Sequence, residues 1–180
     1  MKKLIFSFLV ACITLNISLG QEKVILKVGM KAPEWIFTDA EKNEFTMNSW
    51  AGKVIQINYV DPDESDLNDG FNDAVNKAVN IEKRISREVF KGFGIVDCKS
   101  TWKPIVLIRS IAGNKAKKYN TTILFDYEGV MHDLWSLPKD SYSVIILDKN
   151  RVCRAIYKDK IPESDFEKII QLIINLGKEN

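Results

Sequence analysis

The stretch Val54-Ile55-Gln56-Ile57-Asn58-Tyr59-Val60 decides how this chain folds. It is rich in β-branched residues and largely apolar at both odd and even positions, a pattern typical of a strand that is buried on both faces of a sheet. Ala51-Gly52-Lys53 leads into the stretch, and a segment from Asp61 to Asp66, with one proline and four acidic residues, ends it. We therefore predict a central β-strand over residues 54–60.

Apolar runs and helical patterns alternate on both sides of this strand. Further strands are predicted at 35–38, 44–47, 93–98, 121–125, 143–147 and 151–157. Helices are predicted from Leu67 to Ala78, with a possible extension to Val89 after a break near Asn80, and within 102–118, 130–137 and 164–176. This alternation predicts an α/β domain with a mixed sheet flanked by helices.

Three local signals refine this prediction. Asp148-Lys149-Asn150 reads as a tight hairpin turn in which Asn150 can adopt a positive φ. Ser164 with Glu167 forms a possible capping box at the start of the last helix. Gly177 is a natural position for that helix to end.

Composition and charge limit the possible classes of protein. The chain has 180 residues, of which 46% are apolar, so it can build a single globular domain without the help of disulfides or a metal. It carries 26 basic and 24 acidic residues, and a net charge of +2 gives no reason to propose nucleic acid as a partner. No pattern in the sequence points to a cofactor.

The first twenty residues have the layout of a cleavable export signal. Lys2 and Lys3 precede a mostly apolar core, and Ser18-Leu19-Gly20 ends the segment. We predict cleavage after Gly20, a single domain over 21–180, and a periplasmic or secreted protein with no transmembrane segment once the signal is removed. In the alternative interpretation the signal belongs to a lipoprotein that is anchored at Cys12.

Four segments, taken in order, resemble the thioredoxin superfamily in its TlpA or peroxiredoxin-like branch. They are Val28-Gly29-Met30-Lys31-Ala32-Pro33-Glu34-Trp35, Trp50-Ala51-Gly52-Lys53-Val54-Ile55-Gln56-Ile57-Asn58-Tyr59, Ile123-Leu124-Phe125-Asp126-Tyr127-Glu128-Gly129 and Ser143-Val144-Ile145-Ile146-Leu147-Asp148-Lys149-Asn150. The second half, from Tyr119 to Lys149, is similar to the YtfJ family of exported bacterial proteins. The resemblance implies a thioredoxin-like fold with an N-terminal β-hairpin, in the cell envelope.

The chain departs from the redox-active members of that superfamily. In those proteins the central strand runs into a W-C-x-x-C loop, and by register Glu64 and Leu67 stand here at the two cysteine positions. Neither residue can form the thiolate that thiol–disulfide exchange requires. The segment at Tyr142 also lacks the proline that faces the substrate in the family. The resemblance therefore implies a redox-inactive protein.

Two hypotheses for the function follow. The first is a non-enzymatic binding or scaffold protein whose partner is another envelope protein or a peptide, with a site formed by Asp61, Asp63, Glu64 and Asp66 together with Cys98 and Tyr142. The second is a thiol oxidoreductase or a peroxidase-like enzyme that acts through Cys98, either alone or together with Cys153. Sequence alone leaves open whether these two cysteines form a disulfide or are small, half-buried apolar residues.

Other candidate sites are weaker. Asp61, Asp63 and Ser65 alternate as at the start of a calcium loop, but Asp66 and Asn72 stand where that loop needs glycine and glutamate, so no metal site is predicted. His132, next to Asp133, is the only histidine, and without a nucleophile elbow we interpret it as a surface or partly buried residue. Large aromatic side chains usually belong to the core or its edge. We assign the four tryptophans to it, namely Trp35, Trp50, Trp102 and Trp135.

Overall fold

The computed structural model describes residues 25–179, so the predicted export signal and Cys12 lie outside the described residues. The strands are β1 (Ile36–Thr38), β2 (Glu44–Thr46), β3 (Val54–Val60), β4 (Phe90–Asp97), β5 (Thr122–Asp126), β6 (Tyr142–Leu147) and β7 (Cys153–Lys158). The helices are α1 (Asp69–Asn80), α2 (Ile105–Tyr119), α3 (Val130–Leu134) and α4 (Glu163–Lys178), and a single turn of 3₁₀-helix spans Pro62–Glu64.

All seven strands form one mixed sheet in the order β2-β1-β5-β4-β3-β6-β7. The predicted central strand is confirmed at 54–60: β3 pairs in parallel with β4 and antiparallel with β6, and most of its residues are buried. β1 and β2 form the predicted N-terminal hairpin and join the sheet through β5. The parallel strands β3, β4 and β5 therefore end at the same edge of the sheet, which we call the C-terminal edge.

Helices cover both faces of the sheet. On one face, Ile55, Ile57 and Tyr59 of β3 pack with α3 and with the segment that precedes β1. On the other face, Val54 packs with α1 and α4, and Val96 of β4 packs with α2. The fold is an α/β sandwich of three layers, with α3 alone on one side.

The structure corrects three local predictions of helix bounds. α1 ends at Asn80 and does not continue to Val89, because the chain turns at Lys83, where φ is positive (57°), and brings Ile85 into the core. The capping box is wrong, since α4 begins at Glu163 and its first turn has no side-chain cap. Gly177 lies inside α4, where a Cβ atom would come within 3.1 Å of the Val89 side chain.

The hairpin between β6 and β7 also differs from the prediction. The positive φ belongs to Arg151 (66°) rather than to Asn150. The buried guanidinium of Arg151 donates hydrogen bonds to the carbonyl oxygens of Met47 (2.9 Å), Trp50 (2.6 Å) and Lys53 (2.8 Å). Arg151 thus ties the β6–β7 turn to the connection that leads into the central strand.

We expect Arg151→Met to lower the free energy of unfolding by about 3 kcal/mol, because it leaves several buried carbonyl groups without a donor. The measurement is the midpoint of urea-induced unfolding, read by circular dichroism. Arg154→Met is the matched control, since Arg154 lies on the same hairpin in partly exposed ion pairs with Asp148 and Glu179 that contribute only about 0–1 kcal/mol. Equal losses in the two variants would contradict the role of Arg151.

Candidate functional site

Three aspartates are buried at the C-terminal edge of the sheet. Asp61 follows β3, Asp97 is the last residue of β4, and Asp126 is the last residue of β5. Ligands of open α/β sheets commonly bind at this edge, because the carboxyl ends of parallel strands meet there. With Tyr59 and His132 these aspartates form what we call the edge cluster.

Both ring nitrogens of His132 have hydrogen-bond partners, and Nε2 connects the residue to the cluster. Its Nε2 lies 2.7 Å from Asp97 Oδ2, and its Nδ1 lies 3.0 Å from the carbonyl oxygen of Leu137. Since a carbonyl oxygen can only accept, Nδ1 carries a proton and donates a hydrogen bond to the Leu137 oxygen. The other carboxylate oxygen of Asp97 accepts from the backbone N–H groups of Lys99 (3.0 Å) and Ser100 (3.1 Å). The positions of Asp97 and His132 are therefore fixed by hydrogen bonds to each other and to the backbone.

Tyr59 connects this pair to Asp126. Its hydroxyl donates to Asp126 Oδ2 at 3.1 Å and lies 3.3 Å from His132 Nε2. Asp126 also accepts from the backbone N–H groups of Val130 (2.9 Å) and Met131 (3.0 Å), which fixes the start of α3. Burial, reinforced by Asp126 and Asp97, raises the pKa of Tyr59 far above its ordinary value, so its hydroxyl stays protonated and acts as a donor.

The cluster does not have the geometry of a hydrolytic triad. In such a triad the carboxylate and the nucleophilic hydroxyl contact opposite nitrogens of the histidine. Here Ser100 Oγ (3.2 Å) and Asp97 both approach Nε2, while Nδ1 is occupied by Leu137. His132 is buried rather than at the surface, and it serves as a bridge within the cluster.

Of the predicted binding residues, Asp61 alone belongs to the cluster. Its side chain accepts from the backbone N–H of Asp63 at 2.7 Å, and burial together with the nearby Asp97 raises its pKa to about 6. Asp63 instead pairs with Lys103 and accepts from Thr101 Oγ1 at 2.8 Å. These contacts anchor the acidic loop to the loop that follows β4.

The other predicted residues lie elsewhere. Glu64 is half-buried at the end of the 3₁₀ turn, and Asp66 is exposed and forms an ion pair with Lys115 of α2 at 2.7 Å. Tyr142 begins β6 with its side chain on the opposite face, where its hydroxyl accepts from Asn72 Nδ2 at 2.8 Å. The structure thus separates Tyr142 from the edge cluster.

Both cysteines of the described residues are free thiols. Cys98 lies just beyond β4, half-buried against the small core that includes Val96, and burial together with Asp97 raises the pKa of its thiol to about 12. Cys153 is fully buried in β7, and burial raises the pKa of its thiol to about 11. Both groups are therefore protonated near neutral pH, where a thiolate would be the nucleophile.

Sequence reasoning missed most of the edge cluster. The strand pattern gives Tyr59, Asp97 and Asp126 no role at a site, although the sequence contains a repeated signal that these aspartates lie close together. An aspartate directly follows the last apolar residue of three strands, in Val60-Asp61, Val96-Asp97 and Phe125-Asp126. In parallel strands that repetition places the carboxylates at one edge. Within residues 25–179 no group of histidine, cysteine and acidic side chains is arranged to hold a metal ion.

An exposed apolar surface borders the cluster. It consists of large side chains from the loop after β4, the first turn of α2, the segment after β5 and the start of α3, namely Trp102, Ile105, Val106, Leu107, Tyr127 and Val130. Trp102 is 84% exposed, so its assignment to the core or its edge was wrong. Arg109 of α2 donates to the Tyr127 hydroxyl at 3.2 Å and so connects α2 to the segment that follows β5. We call these six residues the apolar edge surface.

Residues 21–176 match the family described as bacterial protein of unknown function (YtfJ_HI0045). The chain belongs to this family. Among curated proteins none is significantly similar in sequence to the chain.

Solved structures with the same architecture are thiol–disulfide proteins and a peroxiredoxin-like protein. A candidate thiol:disulfide interchange protein DsbE from Chlorobium tepidum superposes with a TM-score of 0.60 at 14% identity, covering 84% of this chain and 99% of that one. The thioredoxin domain of a thiol-disulfide oxidoreductase from Bacteroides vulgatus gives 0.59 at 12%, covering 83% and 99%. A peroxiredoxin-like protein from Aquifex aeolicus gives 0.55 at 14%, covering 84% and 88%.

These similarities confirm the thioredoxin-like fold that the sequence predicted. At such low identity they establish the fold and leave the activity open. Over residues 25–179 the structure contains no helix that is both long and apolar enough to cross a bilayer.

The raised pKa of Asp61 leads to a pH-dependent prediction. The carboxyl has an ordinary pKa of 3.8 and a folded pKa of about 6, so folding favours its protonated form. The free energy of unfolding therefore falls as the pH rises from about 4 to about 6, and it stays lowered at higher pH. We expect Asp61→Asn to raise the free energy of unfolding by about 1–2 kcal/mol at pH 7.5, because asparagine keeps the bond from Asp63 N–H but carries no charge. The gain should shrink to near zero at pH 3.5.

The measurement is urea-induced unfolding of both proteins across that pH range. Asp66→Asn is the matched control, because this exposed carboxylate lies in the same loop and pairs with Lys115. It should give no gain at either pH. A constant difference between Asp61→Asn and the unmodified protein at all pH values would show that Asp61 does not titrate in this range.

Proposed function

We propose that this protein is exported to the cell envelope and acts there as a non-enzymatic binding protein, which captures a polypeptide partner at the C-terminal edge of its sheet. The observation that carries the proposal is the apolar edge surface. Exposed apolar surfaces commonly mark interaction sites, and this one gathers six exposed apolar side chains from the chain segments that follow β4 and β5. Trp102 and Val106, which are 84% and 77% exposed, are its most prominent members.

The surroundings of this surface suit a polypeptide. Aromatic side chains supply large contact area at low entropic cost, and Trp102 and Tyr127 are both available. Lys103 Nζ lies 6.0 Å from the Trp102 ring, and its ion pair with Asp63 holds the loop. The surface is therefore presented by a fixed scaffold, which lowers the entropic cost of binding.

The edge cluster supports a function without thiol chemistry. In the redox-active relatives implied by the sequence resemblance, two cysteines stand where Glu64 and Leu67 stand here. At the tip of the sheet Tyr59, His132 and Asp97 are instead buried and bonded to one another. This arrangement places a buried hydrogen-bonded network at the C-terminal edge of the sheet.

Export is supported by the sequence of the first twenty residues, with cleavage after Gly20 and with lipid anchoring at Cys12 as the alternative. The redox enzyme acting through Cys98 is the alternative function. The pKa of about 12 at that thiol weighs against it, since the reactive thiolate is scarce at neutral pH.

The apolar edge surface is tested by site-specific loss of binding. We expect the double variant Trp102→Ser, Val106→Ser to reduce the amount of partner captured from the envelope fraction at least tenfold, because it removes the two most exposed contacts of the surface. The measurement is quantitative cross-linking in cells that express the chain with its first twenty residues.

Ile81→Ser is the matched control, since Ile81 is also an apolar residue, is 72% exposed and follows α1, away from the apolar edge surface. It should capture the partner as the unmodified protein does. If the double variant captures the same partners as the control, the proposal that the partner binds at the C-terminal edge is contradicted.

The absence of thiol chemistry is tested with an aromatic disulfide reagent at pH 7.5. We expect the Cys98 thiol, measured as the difference between the unmodified protein and Cys98→Ser, to react about a hundredfold more slowly than the same thiol after unfolding in urea, because its pKa is raised by burial and Asp97. A Cys98 thiol that reacts faster in the folded protein would instead favour the enzyme.

A further inference from the structure

A cavity of about 140 Å³ lies on the other face of the sheet, between α1, α2 and the strands β3 and β4. It exists because α2 packs loosely: of its fifteen residues, Ile108 and Ala112 alone are buried. Engineered cavities of about 150 Å³ hold one benzene molecule. The space therefore suits a small ring compound.

Two glycines of β4 form the floor of the cavity. Gly92 and Gly94 both line it, and neither has a positive φ, so the backbone does not require glycine at either position. A Cβ atom would meet only ordinary contacts, 3.6 Å from the Phe90 ring at Gly92 and 3.6 Å from Ile123 at Gly94. Alanine would therefore fit, and the glycines serve to keep the space open.

The walls carry an unusual number of side-chain amides. Asn72, Asn76 and Asn80 recur every four residues along one face of α1, and all three line the cavity. Gln56 and Asn58, two residues apart on β3, line it from the sheet. The middle of a sheet face that packs under helices is normally apolar, so five amides here need an explanation.

Gln56 is the centre of this amide group. It is 2% exposed, and its Nε2 donates to Asn58 Oδ1 at 3.2 Å and to Asn72 Oδ1 at 3.1 Å. Asn72 in turn donates to the Tyr142 hydroxyl. Within residues 25–179 no donor reaches Gln56 Oε1. A buried acceptor without a partner is costly, and a donor that reached this oxygen from the cavity would relieve that cost.

The cationic side chains around the cavity are held by hydrogen bonds, and of these Lys115 alone has carboxylate partners in the part of the chain that the structure describes. Lys115 lies 2.7 Å from Asp66 and 2.5 Å from Asp69. Arg87 donates from Nε and Nη2 to Asn80 Oδ1 at 3.1 and 3.0 Å. Lys91 Nζ donates to Thr122 Oγ1 at 3.0 Å. A cationic ligand would meet Arg87, Lys91 and Lys115 and no unpaired carboxylate among these groups, so its burial would be unfavourable. An anion without an N–H or O–H group would lack the donor that Gln56 Oε1 requires.

We propose that this cavity binds a small uncharged cyclic molecule, about the size of a five- or six-membered ring, which donates a hydrogen bond to Gln56 Oε1. The apolar residues Val75, Val79 and Ile108 contact the body of the ring, and the amides fix its polar edge. The inference is independent of the proposed function, because it uses none of the residues of the apolar edge surface.

The test compares three probes of nearly equal size by ¹H–¹⁵N NMR titration of the isotope-labelled protein. 2-Pyrrolidinone has an N–H donor and is neutral, cyclopentanone lacks the donor, and pyrrolidine is a cation at neutral pH. We expect saturable shifts with 2-pyrrolidinone at residues of β3, β4 and α1, at least tenfold weaker binding of cyclopentanone, and no saturable shifts there with pyrrolidine.

Variants assign the binding to the cavity. Gly92→Ala with Gly94→Ala should abolish the 2-pyrrolidinone shifts by filling the floor, while the spectrum stays that of a folded protein. Gly113→Ala on α2 is the matched control, because that glycine does not line the cavity and a Cβ there meets nothing within 4 Å. It should bind 2-pyrrolidinone as before.

Gln56→Met keeps the size of the side chain but removes the acceptor. It should reduce the preference for 2-pyrrolidinone over cyclopentanone to less than twofold. The proposal is overturned if 2-pyrrolidinone causes no saturable shifts, if cyclopentanone binds equally well to the unmodified protein, or if the double alanine variant binds unchanged.

Discussion

The pairing of β3 with a parallel strand on one side and an antiparallel strand on the other is the constraint on which this structure depends. Seven residues of β3 align with β4, and six of them align with β6. This position fixes which side chains of β3 face each layer of helices. Ile55, Ile57 and Tyr59 point toward α3, and Gln56 and Asn58 point toward α1 and α2.

The same pairing creates the edge cluster. Because β3, β4 and β5 run in parallel, the aspartates that end them converge, and burying three carboxylates together is costly unless each is hydrogen-bonded. Asp97 accepts from two backbone N–H groups and contacts His132, and Asp126 accepts from two backbone N–H groups and Tyr59. Asp61 receives one such bond from the described residues, and its pKa is raised to about 6. The cluster is thus a structural network in which Asp61 is the aspartate with the fewest hydrogen-bond donors.

α2 separates the two candidate binding regions of the molecule. Its first turn contributes Ile105 and Val106 to the apolar edge surface, and its middle, with Ile108 and Ala112, covers the amide cavity. Loose packing of this helix leaves apolar side chains exposed at one end and a cavity beneath it. Both features lie on a fold that, in the structures it resembles, belongs to thiol–disulfide proteins, which illustrates how one architecture carries different sites.

The sequence by itself determined the element order and the central strand, because apolar periodicity and β-branched runs are local properties of the chain. The resemblance of four of its segments to the thioredoxin superfamily implied the thioredoxin-like fold. The sequence did not determine that α1 stops at Asn80 or that Gly177 remains helical, since both depend on contacts of Ile85 and Val89 with distant residues. Only the tertiary structure brought Asp97, Asp126 and His132 together around Tyr59 and moved Tyr142 to the opposite face. The physical reason is that strand register and side-chain alternation act between segments far apart in sequence, whereas propensity acts within one.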